Sequence, residues 1–398
     1  MKKGVRRCPQ VSSVGARVLS LILAAGASSL VAQSADQGVS DNRVLIGVEG
    51  STKSFASDEE NLGMELVIQF VNDAGGVHGR NLVAQSYPRS GGAASDEAVA
   101  NVKRLVEKDR IFLIFNHGGP ASTLIAPYAM EKRVPYMFPH TALLTNDADH
   151  YVFTSYPRYL GESQIMFRYL VETRKFRRIG IIHDENVYGR FFLDRLREYA
   201  TRFGYEMAGS QSLSDRQPAD LTATLTALRP SSPDAIVLAL YPEQARRVME
   251  AKGRLEWKSV RMVSVGPLTD EQYLNVPGGF AEGSLGFCYY PDPNMSQEPG
   301  VAEYRRLMAK YYPGHALNRY SLYGYVFGRL VVEGLTRAGR DLTRERFVDA
   351  MESISNWTSG GIMPPVTFSP GNHHAQRAGF ICELKDGRFQ PLGNWIEP

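Results

Sequence analysis

From Val44 onward, short apolar runs alternate with longer segments in which an apolar residue recurs every three or four positions. A short run rich in β-branched residues, such as 111–115, predicts a buried strand, and the three-to-four spacing predicts an amphipathic helix. Segment 93–108 is an example, with Ala98, Val102, Leu105 and Val106 along one stripe. This alternation of strands and helices is typical of parallel sheets joined by crossover helices.

The predicted elements fall into two similar series followed by a return. The first series has strands at 44–48, 81–86, 111–115 and 135–138, with helices at 58–72, 93–108 and 122–132. After an extended crossing at 151–155, the second has helices at 161–173, 188–203 and 242–254, with strands at 178–183, 235–240 and 260–265. A crossing at 283–290 precedes helices at 301–311, 320–338 and 343–351 and extended segments at 366–368, 378–384 and 388–392.

These series predict an α/β fold of two Rossmann-like lobes with parallel central sheets, joined by a three-segment hinge. Roughly 360 residues after the N-terminal segment exceed what one hydrophobic core usually supports. We assign 43–156 plus 291–362 to lobe 1, and 157–290 plus 363–398 to lobe 2. Open α/β sheets bind ligands at the C-terminal ends of their strands, so we expect the site in the cleft between the lobes.

The N-terminus has the pattern of a cleavable export signal over residues 1–34. Five basic residues precede or flank an apolar stretch at 18–27, and small residues follow it. We therefore expect the mature chain in the periplasm. The full chain carries a net charge of +3 and this segment holds no acidic residue, so the remainder carries about −2. That balance gives no support for a nucleic-acid partner.

Three cysteines occur in the chain, and Cys8 falls within the predicted signal. In an oxidising compartment Cys288 and Cys382 could form a disulfide. Two buried thiols on strands are an equally good interpretation, so the sequence leaves both open.

Signatures of catalysis are scarce, and we predict a protein that is not an enzyme and needs no cofactor or metal. The chain lacks a Gly-x-Ser-x-Gly elbow, a phosphate-binding P-loop and a His-Glu-x-x-His motif. The pair His373 and His374 has no further ligands spaced nearby, so we expect it in an exposed turn. Asp184 and Glu185 follow a strand, where we favour helix capping or a place beside the cleft over acid–base chemistry.

Aromatic residues recur where strands are predicted to end. They are Phe55, Tyr156, Tyr159, Tyr188, Tyr241, Tyr289 and Tyr290. Each alone is more often a packing residue. Together they favour a pocket that holds an apolar or aromatic solute between rings, with the hydroxyl groups orienting the solute through hydrogen bonds.

Four motifs resemble the type I periplasmic solute-binding proteins of ABC importers, specifically the leucine/isoleucine/valine-binding family. They are Asn-Asp-Ala-Gly-Gly-Val-His-Gly-Arg at 72–80, Glu-Lys-Arg-Val-Pro at 131–135, Ile-Ile-His-Asp-Glu-Asn-Val-Tyr-Gly at 181–189, and Ser-Pro-Asp-Ala at 232–235 leading into Tyr-Pro-Glu at 241–243. The resemblance implies lobes that close over a small solute and deliver it to an inner-membrane permease. It also implies that loops 116–123 and 139–145 hold a ligand carboxylate, with Tyr188 and Tyr241 facing them.

Two departures from that family bear on the ligand. Gly119 and Pro120 stand where amino-acid binders usually have a serine, and proline offers neither a hydroxyl nor an N–H. Leu268 stands where they place the acidic residue that receives an ammonium group, although Asp270 or Glu271 could replace it. Arg158 could pair with a ligand carboxylate or be a solvated hinge residue. The predicted ligand-binding residues are Phe55, Gly119, Pro120, Ala121, Thr141, Ala142, Tyr159, Tyr188, Tyr241 and Leu268.

These observations predict a monomeric solute-binding component of an ABC importer, with a small apolar or aromatic ligand that could be a carboxylate. Two alternatives remain open: binding of a branched-chain amino acid, and a sensory module that reports its solute to a membrane receptor.

Overall fold

The computed structural model describes residues 37–48, 55–89, 95–116, 119–214, 220–269 and 276–398. The predicted signal at 1–34 lies outside these residues, as do Asp270 and Glu271. Residues 35–398 form one unit, which contains two sheets.

In the described part of the chain, twelve strands make up the two sheets. They are β1 Arg43–Val48, β2 Asn81–Gln85, β3 Leu113–Phe115, β4 Tyr136–Met137, β5 Val152–Phe153, β6 Arg178–Asp184, β7 Glu206–Leu213, β8 Ala235–Ala239, β9 Arg261–Ser264, β10 Leu285–Cys288, β11 Phe380–Lys385 and β12 Arg388–Pro391.

The α-helices occupy the connections between strands. They are α1 Phe55–Asp73, α2 Ser95–Glu107, α3 Ser122–Lys132, α4 Tyr159–Arg168, α5 Val187–Phe203, α6 Thr222–Leu228, α7 Pro242–Arg254, α8 Pro299–Tyr311, α9 Arg319–Ala338 and α10 Arg344–Glu352. A π-helical turn, Tyr169–Thr173, extends α4.

The first sheet has the strand order β2-β1-β3-β4-β5, and every neighbouring pair is parallel. Its central strands are buried, which explains why their sequences are apolar without alternation. The loops that follow β3 and β4 leave the same edge of this sheet. The resemblance placed the ligand carboxylate at these two loops.

The second sheet has the order β12-β11-β10-β9-β8-β6-β7. Strands β6 to β10 pair in parallel, as predicted, but β11 pairs antiparallel with both β10 and β12. A two-residue turn joins β11 to β12, and such a short connection permits only an antiparallel pair. The fold is thus α/β with two largely parallel sheets, and among the described strands the antiparallel pairs are the two that involve β11.

Helices α1 and α9 approach each other closely. A Cβ atom added to Gly63 would lie 2.1 Å from the carbonyl oxygen of Ser321, and one added to Gly324 would lie 1.9 Å from that of Glu60. The two backbones can therefore touch only because both positions are glycine. This contact holds Glu60, on α1, in the buried interior.

The glycine-rich segment after α1 forms the predicted helix-ending turn. Gly75, Gly76 and Gly79 have φ values of 97°, 75° and 77°, and the chain then enters β2. The prediction for the second half was incomplete, because it omitted β7 and α6. The extended segment predicted at 366–368 forms an isolated bridge between Val366 and Trp357.

Cys288 and Cys382 form a disulfide between the adjacent strands β10 and β11, with their Cα atoms 6.0 Å apart. Of the two interpretations that the sequence left open, the structure has the bonded one. The bridge links the return crossing to the C-terminal hairpin across 94 residues. Within the described ranges, no helix is both long and apolar enough to cross a membrane.

Candidate ligand-binding cleft

Three of the predicted tyrosines lie together. The rings of Tyr159 and Tyr188 are 5.4 Å apart, and those of Tyr188 and Tyr241 are 5.8 Å apart. Tyr159 begins α4, Tyr188 lies in the first turn of α5, and Tyr241 is the residue before α7. The side chain of Asn186 caps α5 by accepting from the backbone N–H of Tyr188, and its amide donates to the Tyr241 hydroxyl at 2.8 Å. One cap thus positions two of the three rings.

The hydroxyl of Tyr159 meets the loop that follows β4. It accepts a hydrogen bond from the backbone N–H of Ala142 and pairs with the Thr141 hydroxyl. Burial raises the pKa of Tyr159 well above its ordinary value, so this phenol stays neutral. Two donors of loop 139–145, one of the two loops that the resemblance assigned to a ligand carboxylate, are therefore occupied by a side chain of the protein.

A second group of aromatic residues surrounds a small cavity beside the first. The cavity is lined by Tyr156, Gly266, Pro267, Thr269, Tyr289, Tyr290, Arg319 and Tyr320. Its free volume is about 10 Å³, enough for about one water molecule. A larger solute can enter only if the surrounding side chains or the lobes move apart.

The cavity walls come from both ends of the chain. Tyr156 stacks against Tyr289 and Tyr323 with ring centroids 4.9 Å apart in each case. The hydroxyl of Tyr320, in the first turn of α9, donates to the carbonyl oxygen of Pro267. The hydroxyl of Tyr290 is buried and has no hydrogen-bond partner among the described residues. A buried hydroxyl group without a hydrogen-bond partner destabilises the fold unless a ligand or a water molecule supplies that partner.

Glu162 carries a fully buried carboxyl group at the edge of this cavity. The backbone N–H of Gly266 donates to it at 2.7 Å, and the hydroxyl of Tyr289 donates to its other oxygen. Burial raises the pKa of Glu162 to about 8, although these two hydrogen bonds oppose the rise. Gly266 is required here because a Cβ atom would lie 2.3 Å from the Tyr289 hydroxyl oxygen.

Glu60 is a second fully buried carboxylate, reached from α1. It accepts from the side-chain amide of Asn116 at 2.7 Å and from the hydroxyl of Tyr156 at 2.8 Å. It also forms an ion pair with Nδ1 of His140. Unlike Glu162, this carboxylate therefore has a titratable basic partner within the fold.

One cationic side chain, Arg319, lines the cavity. Its guanidinium donates to the carbonyl oxygens of Tyr290 at 3.1 Å, Thr269 at 2.8 Å and Phe389 at 3.2 Å. All three of its nitrogens are therefore directed at the backbone, where they tie α9 to the second sheet.

The remaining predicted ligand residues divide into three groups. Leu268 is fully buried in the short helical turn after β9, next to the cavity residues. Phe55 is 36% exposed, and its ring packs edge-on against Tyr320 at 5.9 Å. Gly119, Pro120 and Ala121 form a short 3₁₀ turn, and Ala121 packs into a core cluster. Their contact with a ligand stays a prediction.

Three other sequence candidates have structural roles. His373 and His374 are buried, which contradicts the predicted exposed turn. His373 pairs with Glu352, and His374 bonds to the carbonyl oxygen of Tyr156. No metal-binding group of side chains occurs in the described part of the chain. Arg158 pairs with Asp147 and donates to the Thr145 carbonyl oxygen at 2.6 Å, so it braces the hinge segment.

Asp184 and Glu185 do not cap α5 themselves, because Asn186 does. Asp184 instead fixes the turn before that helix. Its carboxylate accepts from the backbone N–H of Asn186 at 3.0 Å and from the side-chain amide of Gln244 at 2.8 Å. Asp184 is thus part of the support of the tyrosine group.

Comparison with known proteins agrees with this geometry. Residues 44–388 match the model of a periplasmic binding protein family. The chain belongs to the periplasmic binding protein family. It is 20% identical over 366 residues to the Leu/Ile/Val-binding protein homolog 8 of Brucella abortus, a match covering 87% of this chain and 88% of that protein.

Solved structures of other binding proteins share the fold. One is a fatty acid ABC transporter substrate-binding protein from Thermomonospora curvata, with a TM-score of 0.79, 20% identity, and coverage of 92% of this chain and 95% of that one. Another is a branched-chain amino acid ABC transporter protein from Thermus thermophilus with bound valine, with a TM-score of 0.78, 17% identity, and coverage of 90% and 98%. This periplasmic binding protein is thus a binding protein of the type I fold and not an enzyme, as the sequence predicted.

Sequence reasoning missed the residues that give this periplasmic binding protein its charged interior. They are Glu60, His140, Glu162, Arg319, Tyr320 and Tyr323. A signal existed for both carboxylates, because each lies on the apolar stripe of its helix. Glu60 precedes Met64 and Val67, and Glu162 precedes Ile165 and Met166, at helical spacing.

Proposed function

We propose that this periplasmic binding protein is the exported solute-binding component of an ABC importer. It captures a small solute with an apolar or aromatic body between its lobes and closes over it by a hinge. Family membership supports the periplasmic location and the permease partner. The observation that carries the ligand class is the presence of two neighbouring groups of tyrosine rings. Tyr159, Tyr188 and Tyr241 form one group, and the other, Tyr156, Tyr289, Tyr290 and Tyr320, lines the cavity.

Closure explains how such a small cavity can serve a larger solute. Tyr159 on α4 touches Thr141 and Ala142 from the first sheet, and Tyr320 on α9 touches Pro267 from the second. Opening would break these few contacts and expose the rings on both sides. The affinity then depends on the difference in free energy between the open and closed states with and without solute.

The test is to replace Tyr188 and Tyr241 separately by alanine and to measure binding of an aromatic solute by calorimetry. Each variant should bind at least tenfold more weakly while keeping its far-ultraviolet spectrum. Tyr311→Ala is the control, because that ring lies on α8 next to Asp73, on a different part of the surface. Unchanged affinity in both cleft variants would refute the assignment of the site.

A second candidate ligand is a branched-chain amino acid. It is favoured by the position of Glu162, whose carboxyl group lies against Gly266, close to where the resemblance requires an acid for the ammonium group. Tyr159 counts against it, since its hydroxyl holds the donors that a ligand carboxylate would need. Leucine at millimolar concentration should therefore raise the melting temperature less than an aromatic solute does.

Transport itself is tested in cells. Deletion of the gene should abolish high-affinity uptake of the labelled solute, and the wild-type copy should restore it. Normal uptake combined with a lost transcriptional response to the solute would favour the sensory alternative.

A further inference from the structure

The carboxyl group of Glu162 lies in an environment without a cationic partner. In the described part of the chain, no Lys, Arg or His forms an ion pair with it. The groups near it are three phenols and one backbone N–H: Tyr159, Tyr188, Tyr289 and the Gly266 amide. Arg319 lines the same cavity, but its nitrogens donate to three carbonyl oxygens.

The rest of the cavity wall suits a positive charge. Cations bind to the faces of aromatic rings, and cages of several rings are a recurring site for alkylated ammonium groups. Here Tyr156, Tyr289, Tyr290 and Tyr320 border one cavity. Their phenol oxygens can also accept, and that of Tyr290 has no partner in the described residues.

The site offers little to a negatively charged group. The N–H of Ala142 and the hydroxyl of Thr141 already bind Tyr159. A ligand carboxylate that used these two donors would therefore have to displace Tyr159 from them.

We propose that the ligand is a cationic amine without a carboxylate, whose ammonium group lies against Glu162 and the tyrosine rings. The inference rests on the proposed solute-binding function and names the chemical class of the solute. Its apolar or aromatic body would lie between the tyrosine rings, and the positive charge of the ligand would supply the cationic partner that Glu162 does not have among the described residues.

Binding should then depend on pH in a defined direction. Without a ligand, burial holds the pKa of Glu162 near 8, so the carboxyl group is mostly protonated at pH 7. A cation favours the ionised form, so binding must release that proton. The affinity for a permanent cation should rise about tenfold per pH unit below pH 8 and level off above it.

The experiment uses two sets of probes with matched shape and different charge. The first is choline, neutral 3,3-dimethylbutan-1-ol and anionic 3,3-dimethylbutanoate, and the second is benzylamine, benzyl alcohol and benzoate. Each is tested by thermal shift on the mature protein at pH 8, and the dissociation constants of those that bind are measured by calorimetry. In at least one set, the cation should raise the melting temperature more than its neutral and anionic counterparts do. Leucine should raise it less than that cation does.

Variants decide whether Glu162 is responsible. Glu162→Gln should weaken binding of the cation at least tenfold at pH 8 and should change binding of the neutral isostere less than twofold. Glu162→Asp, which keeps the charge, should retain part of the affinity. Glu172→Gln, the same change at an exposed position in the following π-helical turn, is the control and should bind like the wild type.

Each contrary outcome has a separate meaning. Stabilisation by the neutral or anionic probes but by neither cation overturns this inference and leaves the proposed solute-binding function standing. If leucine raises the melting temperature more than both cations do, this inference is also overturned, and the branched-chain amino acid alternative is favoured. If no probe stabilises the protein, both this inference and the proposed ligand class are wrong.

Discussion

Glu60 and Glu162 are two buried carboxyl groups with opposite surroundings. Each lies on the apolar stripe of a helix next to the cleft, and each is hydrogen-bonded to a tyrosine of the cavity wall. Glu60 also has the amide of Asn116 and the imidazole of His140, whereas the one further donor to Glu162 among the described residues is a backbone N–H. The protein therefore supplies the hydrogen-bonding partners of the Glu60 carboxylate, whereas a cationic ligand would supply the partner of an ionised Glu162.

The largest expected effect is on stability at pH 7. Glu60→Gln removes the partner of His140 and sets an amide against the donors of Asn116 and Tyr156, so we expect a loss of about 3 kcal/mol in the free energy of unfolding. Glu162→Gln replaces a carboxyl group that is mostly neutral, so its loss should stay below about 1 kcal/mol. Urea denaturation measures both, and equal losses would remove the distinction between the two sites.

The second effect is the pH dependence of that stability. The pKa of Glu162 is raised in the folded state to about 8 from an ordinary value of 4.5. The folded protein therefore binds this proton more tightly than the unfolded chain, and rising pH destabilises the fold between about 4.5 and 8. One proton can change the free energy of unfolding by at most about 1.4 kcal/mol per pH unit. Because the site relaxes when Glu162 ionises, we expect a total loss of about 2 kcal/mol over this range.

The Glu162→Gln variant should lack this pH dependence. The free energy of unfolding of the variant minus that of the wild type should therefore increase from pH 5 to pH 8. Glu172→Gln serves again as the exposed control and should follow the wild type. A constant difference between Glu162→Gln and the wild type across this range would mean that Glu162 does not titrate there.

The smallest expected effect is the difference in stability between variants of Tyr289 and Tyr156, the tyrosines that donate to Glu162 and Glu60. At pH 9 Glu162 is ionised, and Tyr289→Phe removes one of its two donors, at a cost of about 2 kcal/mol for a hydrogen bond to a charged group. Tyr156→Phe removes one of three donors to Glu60 and should cost about 1 kcal/mol. Thermal unfolding of both variants at pH 9 measures this difference, and the reverse order would contradict it.

Much of the fold was predictable from local patterns. Helices α3 and α7 begin and end where the sequence predicted, because proline or glycine marks the neighbouring turns and the apolar spacing is regular. Strand β7 was missed because its sequence Glu-Met-Ala-Gly-Ser-Gln-Ser-Leu is largely polar, and α6 because it is short and rich in threonine.

The candidate site was predictable only in part. Tyr159, Tyr188 and Tyr241 were found because they lie at strand or helix ends, where such sites are expected. Glu162 was not, because its partner Gly266 is 104 residues away along the chain. A pairing at that separation depends on the packing of α4 against the end of β9, which no local pattern specifies. The lobe boundaries proposed from the sequence also remain a prediction.

The measurement that tests the central claim most directly is proton release during binding. Choline or benzylamine, whichever binds more tightly, is titrated into the mature protein at pH 7 in two buffers with different ionisation enthalpies. The account predicts release of close to one proton per bound cation by the wild type and of almost none by Glu162→Gln. Binding of the cation by the wild type without proton release would contradict the claim that the solute supplies the missing partner of Glu162.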